Sequence, residues 1–216
     1  FDVVAAAKKS GHVAGFSDFD FSLHADGSVQ RIVYRISKEK PVAHHVLNEA
    51  YRLLTIGGEL LIAGLKNDGA KTYIDKCRHI FGNGNIKKSG QAYLGSFCKT
   101  TNALCADRLD DQDYPKLRII HTPVLDFYSK PGLFGWDRVD QGSAFLLDAL
   151  PDLLVKLGVQ PQSLLDIGCG YGYLTLMTRH LPLLQRVATD NNAAALLAMR
   201  RNADHYGINL EIVADD

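Results

Sequence analysis

The chain has 216 residues, of which 46% are hydrophobic and 22% are charged, and its formal net charge is zero. This composition is typical of a globular protein with its own core, and no apolar run reaches the 18 residues of a membrane-spanning helix. The four cysteines form no C-x-x-C pair and the eight histidines no H-E-x-x-H pattern, which argues against a disulfide framework and a zinc site. We expect a cytoplasmic protein without a metal ion. We also expect a piece of a longer chain, because it begins at Phe1 rather than at a methionine.

Charge is distributed unevenly along the chain. Residues 1–105 carry 14 Lys and Arg against 9 Asp and Glu, a net of +5, whereas residues 106–216 carry 10 against 15, a net of −5. Such asymmetry favours a polyanionic partner for the first half, although a chance distribution of surface charge explains it equally well.

The first half alternates strand and helix patterns. Residues 29–37 are rich in β-branched and aromatic side chains, and apolar positions at helical spacing predict a helix over residues 41–54. We expect Gly57 to end this helix in a left-handed conformation. A buried strand, a second helix, a turn-rich connection and a last strand are predicted over residues 59–65, 69–81, 82–90 and 91–100.

An acidic stretch without periodicity, residues 101–117, predicts a boundary between domains 1–105 and 106–216. Residues 118–140 resemble short extended pieces around turns. Strand, helix, strand, helix and strand patterns then run over residues 163–216, which predicts a parallel α/β sheet. Before them, residues 140–158 contain a helix whose inward face is predicted to be Phe145, Leu146, Ala149, Leu150, Leu153 and Leu157.

The stretch "LLDIGCGYG" ends a predicted strand and opens a helix, at the sheet edge where parallel α/β proteins bind ligands. Gly168, Gly170 and Gly172 allow unusual backbone dihedrals and close approach of a ligand to bare backbone. The spacing is G-x-G-x-G rather than the G-x-G-x-x-G of dinucleotide sites, and Asp166 stands two residues before the first glycine. Because a carboxylate there repels a pyrophosphate but suits an ammonium or sulfonium, the pattern favours S-adenosylmethionine over NAD.

Two further acidic positions follow at the ends of successive strands. Asp190 can accept both hydroxyls of a ribose, although Asp before Asn191 is also a good helix cap. Asp215 and Asp216 end the third strand, where a carboxylate can accept the exocyclic amine of adenine, and a solvated loop is the plain alternative. The joint order of acid with glycines, acid and acid favours a cofactor that carries a nucleoside.

These residues carry a family resemblance. "LLDIGCGYGYL" with "VATDNN" resembles motif I and the following acidic position of class I S-adenosylmethionine-dependent methyltransferases. "PGLFGWDRVDQGSAFLLDAL" is similar to the element that precedes motif I in the guanine-N2 methyltransferases of ribosomal RNA, above all the small-subunit (16S) enzymes. The sequence departs from that element at Gly135, where the family often has serine. The resemblance implies that Gly142 and Ser143 contact the methionine end of the cofactor, and a helix cap is the equal alternative.

The first half extends the resemblance. "AYRLLTIGGELLIAGLKNDGAKTYIDKCRHIFG" is similar to the late part of a class I methyltransferase, and this family carries two copies of the fold, of which the first has lost its catalytic motif. The implied fold is α/β and Rossmann-like, in two tandem copies that are both incomplete here. Because "IVYRISKEKP" stands where a working copy has Asn-Pro-Pro-Phe, the resemblance implies that domain 1–105 is a non-catalytic, RNA-holding duplicate and that domain 106–216 binds the cofactor.

No Asn-Pro-Pro occurs anywhere in the sequence, so no catalytic residue is assigned. The implied function is methyl transfer from S-adenosylmethionine to the exocyclic N2 amine of a guanine in ribosomal RNA or the small-subunit particle. The alternatives are another Asn-Pro-Pro methyltransferase, acting on protein glutamine, transfer RNA or DNA adenine, and a non-catalytic RNA-binding relative. The expected cofactor-binding residues are Asp166, Gly168, Gly170, Gly172, Asp190, Asn191, Gly142, Ser143, Asp215 and Asp216.

Overall fold

The computed structural model describes residues 2–82, 84–102 and 108–215. The chain packs as two units. One is Phe19–Tyr114, and the other runs from Pro115 to the end of the described residues and includes the segment before Phe19. The division predicted between residues 105 and 106 lies outside the described residues.

The unit Phe19–Tyr114 contains a four-stranded sheet in the order β1-β2-β4-β3. β1 and β2 are parallel, and β4 is antiparallel to both of its neighbours. Helices α2 and α3 connect the first three strands, and their apolar sides pack into the core with Leu60, Ile62 and Phe97. The elements are β1 (Val29–Arg35), α2 (Lys40–Leu53), β2 (Leu54–Leu65), α3 (Ala70–Phe81), β3 (Gly84–Ser89) and β4 (Ala92–Cys98).

Two expectations for this unit are wrong. The predicted turn-rich connection is β3, an edge strand whose residues are mostly polar because only Gly84 and Ile86 approach the core. Gly57 does not end α2, which ends at Leu53 with an extended residue after it. Gly57 has φ 81° within β2, at a register irregularity of the β1–β2 pairing, and its N–H donates to the carbonyl of Lys99 (2.8 Å).

The other unit contains a three-stranded parallel sheet, β7-β8-β9, and a separate antiparallel hairpin, β5-β6. Its core joins the hairpin, the loop around Leu133 and the apolar face of α6. The elements are α1 (Asp2–Lys9), β5 (Arg118–His121), β6 (Asp126–Ser129), α4 (Gln141–Leu157), β7 (Ser163–Ile167), α5 (Tyr173–Met177), β8 (Gln185–Asp190), α6 (Ala193–Tyr206) and β9 (Glu211–Ala214). The predicted alternation of parallel strands and helices over this region is confirmed.

The predicted inward face of α4 is wrong. No residue of α4 is buried, and Phe145 and Leu157 are 76% and 59% exposed. Helical periodicity identifies an apolar face, but it does not identify what covers that face. Here β7 also leaves Leu165 and Ile167 exposed, so the described residues leave an apolar side of both the helix and that strand uncovered.

Within the described part of the chain, no helix is long and apolar enough to cross a membrane. The same residues contain no group of three His, Cys, Asp or Glu side chains arranged to hold a metal ion.

Candidate functional site

The turn between β7 and α5 contains three glycines with different roles. Gly168, Gly170 and Gly172 have φ values of 68°, 55° and 91°, which L side chains rarely adopt. A Cβ added at Gly168 or Gly170 would meet no atom within 4 Å, so these two present bare backbone to open space. A Cβ at Gly172 would overlap Met199 Sδ and lie 2.7 Å from Leu176 Cδ1. Gly172 therefore serves the close packing of the turn against α6.

Asp190, the last residue of β8, is bound to this turn. One carboxylate oxygen accepts the N–H of Gly170 (2.9 Å) and the other accepts the N–H of Asn192 (2.8 Å). Asn192 in turn caps α6, because its side chain accepts the N–H of Ala194 (3.0 Å). The carboxylate of Asp190 thus fixes both the glycine turn and the entry to α6.

Asp166 lies beneath the turn and is 6% exposed. Its Oδ2 accepts hydrogen bonds from the hydroxyl (2.6 Å) and the N–H (3.2 Å) of Thr175 in α5. Burial raises the pKa of Asp166, and the two bonds from Thr175 oppose this rise. Much of this carboxylate is therefore committed to holding α5 on β7.

The start of α4 is capped by Asp140, whose Oδ2 accepts the N–H (2.8 Å) and the hydroxyl (3.1 Å) of Ser143. These bonds hold the pKa of Asp140 below its ordinary value. The helix-cap alternative for this element is thus present in the structure, and the cap places Ser143 at the wall of the cavity described next.

A cavity of about 430 Å³ lies over the glycine turn. Of the residues expected to bind the cofactor, six line this cavity: Ser143, Asp166, Gly168, Gly170, Asp190 and Asn191. Gly142, Gly172 and Asp215 are not among the residues that line it, and Asp216 lies outside the described residues. Three carboxylates, those of Asp140, Asp166 and Asp190, border the cavity without a lysine or arginine among the lining residues. The site therefore suits a cationic ligand.

Sequence reasoning missed Asn202, which is fully buried in α6. Its amide donates to the carbonyls of Tyr128 and Tyr171 (2.8 Å each) and accepts the N–H of Tyr128 (2.7 Å). Because Tyr171 lies between the second and third glycines, Asn202 joins β6, the glycine turn and α6. The available signal was a polar residue on the apolar face of a predicted helix, in line with Ala195 and Met199.

Comparison with known proteins identifies this region. The family model described as the methyltransferase small domain matches residues 124–216, which include the cavity, the turn and the capped start of α4. Residues 124–216 thus resemble this family, and they make up somewhat less than half of the chain. The resemblance to class I methyltransferases is confirmed, and so is their Rossmann-like α/β fold.

The relatives extend over nearly the whole chain. It is 28% identical over 201 residues to ribosomal RNA small subunit methyltransferase C of Shewanella loihica, covering 92% of this chain and 56% of that protein. The relative from Pasteurella multocida is 28% identical over 204 residues, covering 93% and 58%. A solved structure of a T. thermophilus 16S rRNA N2 methyltransferase, in complex with AdoMet and guanosine, is 25% identical with a TM-score of 0.80, covering 98% of this chain and 56% of that one. The chain spans somewhat more than half the length of the relatives that it matches.

Proposed function

We propose that the protein transfers a methyl group from S-adenosylmethionine to the exocyclic N2 amine of a guanine in ribosomal RNA, most of all 16S RNA. The observation that carries the proposal is the acid-lined cavity over Gly168 and Gly170, which lies inside the methyltransferase domain. The similarity to a solved 16S rRNA N2 methyltransferase that holds AdoMet and guanosine supports the substrate.

The residues of the cavity fit this cofactor. Open space at Gly168 and Gly170 leaves a cradle that a Cβ would partly fill, and a volume of about 430 Å³ is within the range of small-molecule sites. The three bordering carboxylates favour the sulfonium and ammonium groups and disfavour a pyrophosphate, so the same cavity is unsuited to a dinucleotide.

We assign the cofactor to six residues of the wall. Asp190 and Asn191 would hold the ribose, since the Asp190 carboxylate has acceptor capacity beyond its two backbone bonds. Gly168, Gly170, Asp166 and Ser143 would hold the methionine part. Gly142 and Gly172 would act indirectly, through the start of α4 and the packing of the turn, and Asp215 and Asp216 remain proposed contacts of the adenine.

The bound cofactor supplies an electrophilic methyl group attached to a sulfonium. What the chain contributes is a fixed, preorganised site, because the turn is held by Asp190, Thr175 and Asn202 before any ligand arrives. Methyl transfer is accelerated mainly by positioning, so rigidity here lowers the cost of aligning the reactants.

We also propose that the chain contains two incomplete copies of one fold, divided as residues 1–105 and 106–216. In support, the sheet β1-β2-β4-β3 consists of a parallel pair followed by an antiparallel hairpin. This arrangement is the one expected for the later part of a class I methyltransferase fold, from its fourth strand to its last. β7-β8-β9 supplies three parallel strands, as expected for its beginning. The first copy would be non-catalytic, since "ISKEKP" follows β1 where a working copy has Asn-Pro-Pro-Phe.

Methyl transfer from labelled S-adenosylmethionine tests the proposal. With the full-length protein we expect label in small-subunit particles, recovered after digestion as N2-methylguanosine, and strongly reduced label with Asp190→Ala. Naked 16S RNA and large-subunit RNA serve as comparison substrates. Label on protein glutamine, transfer RNA or DNA adenine would replace this function with one of the alternatives, and binding of RNA without any methyl transfer would favour a non-catalytic relative.

The proposed site of action is the cytoplasm.

A further inference from the structure

Exposed lysines gather at one edge of the sheet in the unit Phe19–Tyr114. β1 and β2 are parallel, so their carboxyl ends meet at the same edge. The N–H of Lys66, just after β2, donates to the carbonyl of Gln91 (2.8 Å), which brings the β3–β4 turn to this edge as well. Five exposed lysines lie on these segments and on the first turns of α2 and α3, and we call them the lysine edge: Lys38, Lys40, Lys66, Lys71 and Lys88.

Few carboxylates neutralise this edge. Asp68 is buried and reaches Lys38 at 3.9 Å, and Glu39 is exposed between Lys38 and Lys40. Among the described residues, the other four lysines of the edge have no carboxylate within 4 Å. At the opposite end of the sheet Arg52 is paired with both Glu49 and Asp26.

The lysines also occupy positions that isolated helices disfavour. The helix dipole places partial positive charge at the first turn, where acidic residues are stabilising and cations are not. Neither α2 nor α3 has an acidic residue in its first turn or a side-chain cap, and they carry Lys40 and Lys71 there instead. The first turns of both helices therefore add positive potential to the edge, which Glu39 and the buried Asp68 offset only in part.

Whole-unit charge does not explain the edge. Residues 19–114 contain 13 Lys and Arg against 11 Asp and Glu, a net of +2, so the +5 of residues 1–105 largely disappears when the charge is counted over the packed unit. What distinguishes the unit is therefore the placement of its cations rather than their excess.

We propose that the lysine edge binds the phosphate backbone of the RNA substrate. Lysine ammonium groups contact phosphates as flexible point charges, without reading bases, and such contacts fix the position of a nucleic acid. The inference rests on the proposed RNA substrate and names the surface of the first unit that holds it.

Salt dependence of RNA binding tests this surface. Each phosphate contact adds about 0.7–0.9 to the slope of log K against log salt concentration. For full-length protein with Lys38, Lys40, Lys66 and Lys71 all changed to Gln, we expect the slope to fall by about 3 and the affinity at 0.1 M salt to fall about tenfold or more.

A matched control separates the edge from net charge. Lys66→Gln with Lys71→Gln removes two charges from the edge, and Lys156→Gln with Arg200→Gln removes two exposed charges from α4 and α6. We expect only the first pair to lower the slope. An equal effect of both pairs, or no effect of the fourfold variant, would overturn the lysine edge.

Cofactor binding by the same variants distinguishes this inference from the proposed function. We expect every variant to bind S-adenosylmethionine as the wild type does. Normal cofactor binding with an unchanged salt slope refutes the edge alone, whereas wild-type protein that binds neither cofactor nor RNA refutes the proposed function and the edge together.

Discussion

At the scale of single residues, Asp190 combines two tasks that usually fall to different side chains. It holds the glycine turn through Gly170 and the start of α6 through Asn192, and it also lines the cavity. With the proposed assignment of Asp190 to the cofactor, the same oxygens hold the site and contact the ligand, so that stability and binding are coupled.

Replacing Asp190 should therefore lower both quantities. Asp190→Ala removes the acceptor of two backbone N–H groups, and we expect a loss of about 1–3 kcal/mol in unfolding free energy. We expect S-adenosylmethionine affinity to fall about tenfold or more, because a lost bond of 1.4 kcal/mol is a factor of ten. Asp190→Asn keeps one acceptor oxygen and should be intermediate in urea unfolding. Equal affinity of wild type and Asp190→Ala would show that the carboxylate does not contact the cofactor.

The glycines of the turn should separate folding from binding. Gly172→Ala forces a Cβ against Met199 Sδ at φ 91°, and we expect it to cost about 2–5 kcal/mol in urea unfolding from backbone strain and overpacking. Gly168→Ala meets open space, so its cost should be about 1–2 kcal/mol, from the left-handed conformation alone. We expect calorimetry to show that, relative to its loss of stability, Gly168→Ala loses more cofactor affinity than Gly172→Ala does. The reverse order of stabilities would contradict the packing role of Gly172.

The raised pKa of Asp166 determines in which direction its contribution to the unfolding free energy changes with pH. Because burial raises its folded pKa above the ordinary value of 3.8, the carboxyl contributes most below that value and its contribution is lost as pH rises through the folded pKa. The unfolding free energy of wild type minus that of Asp166→Asn should therefore fall as pH rises from below 3.8, and then level off. Urea unfolding of both proteins at several pH values measures this difference, and a difference that increases with pH would be inconsistent with a desolvated carboxyl.

At the scale of elements, α6 acts as the partner of β6. Asn202 exchanges hydrogen bonds with both backbone groups of Tyr128, and one turn later Tyr206 does the same with Asp126. These side chains complete the hydrogen bonds of a short strand, and Asn202 also reaches the turn through Tyr171. The helix thus determines where the hairpin and the glycine turn lie.

Asn202→Ala should be strongly destabilising. It leaves buried backbone groups of Tyr128 and Tyr171 without partners, and we expect a cost of about 2–4 kcal/mol. Tyr206→Phe removes one hydroxyl near the surface and should cost about 1 kcal/mol. Thermal unfolding of the two variants provides the comparison. A cost for Asn202→Ala no larger than that of Tyr206→Phe would argue against the role of Asn202 in joining the three elements.

The sequence predicted those elements that bury a regular apolar pattern. β7, β8 and α6 each combine a regular apolar pattern with a turn signal, and all three are present, although β7 leaves Leu165 and Ile167 exposed. β3 was missed because an edge strand with one buried face can be mostly polar. The inward face of α4 was misassigned because periodicity shows which side of a helix is apolar, but not whether other residues cover that side. Asn202 was missed, although it is a polar residue on the apolar face of a predicted helix, because its partners Tyr128 and Tyr171 are distant in sequence.

At the scale of the whole molecule, the candidate site lies entirely within one of the two units. All residues that line the cavity belong to the unit that begins at Pro115, and the lysine edge belongs to the other. The two proposed binding sites therefore belong to different units, one that binds the cofactor and one that binds the RNA phosphates. Such a division predicts that the two ligands stabilise different parts of the chain.

Hydrogen exchange should reveal this division. S-adenosylmethionine should slow amide exchange at residues 166–172 and 190–195 and leave α2 and α3 unchanged, because a ligand protects the segments whose opening releases it. RNA should slow exchange around residues 66–71. If the cofactor instead slowed exchange mainly in α2 and α3, its binding site would lie in the unit Phe19–Tyr114, which would contradict the proposal.

The acid-lined cavity over Gly168 and Gly170 is the proposed binding site of S-adenosylmethionine. Titration calorimetry of the full-length protein with this cofactor tests it most directly. We expect one site of about micromolar affinity, no measurable binding of NAD, and marked weakening in Asp190→Ala. Absence of binding to wild-type protein that is folded by circular dichroism, or equal binding by Asp190→Ala, would contradict it.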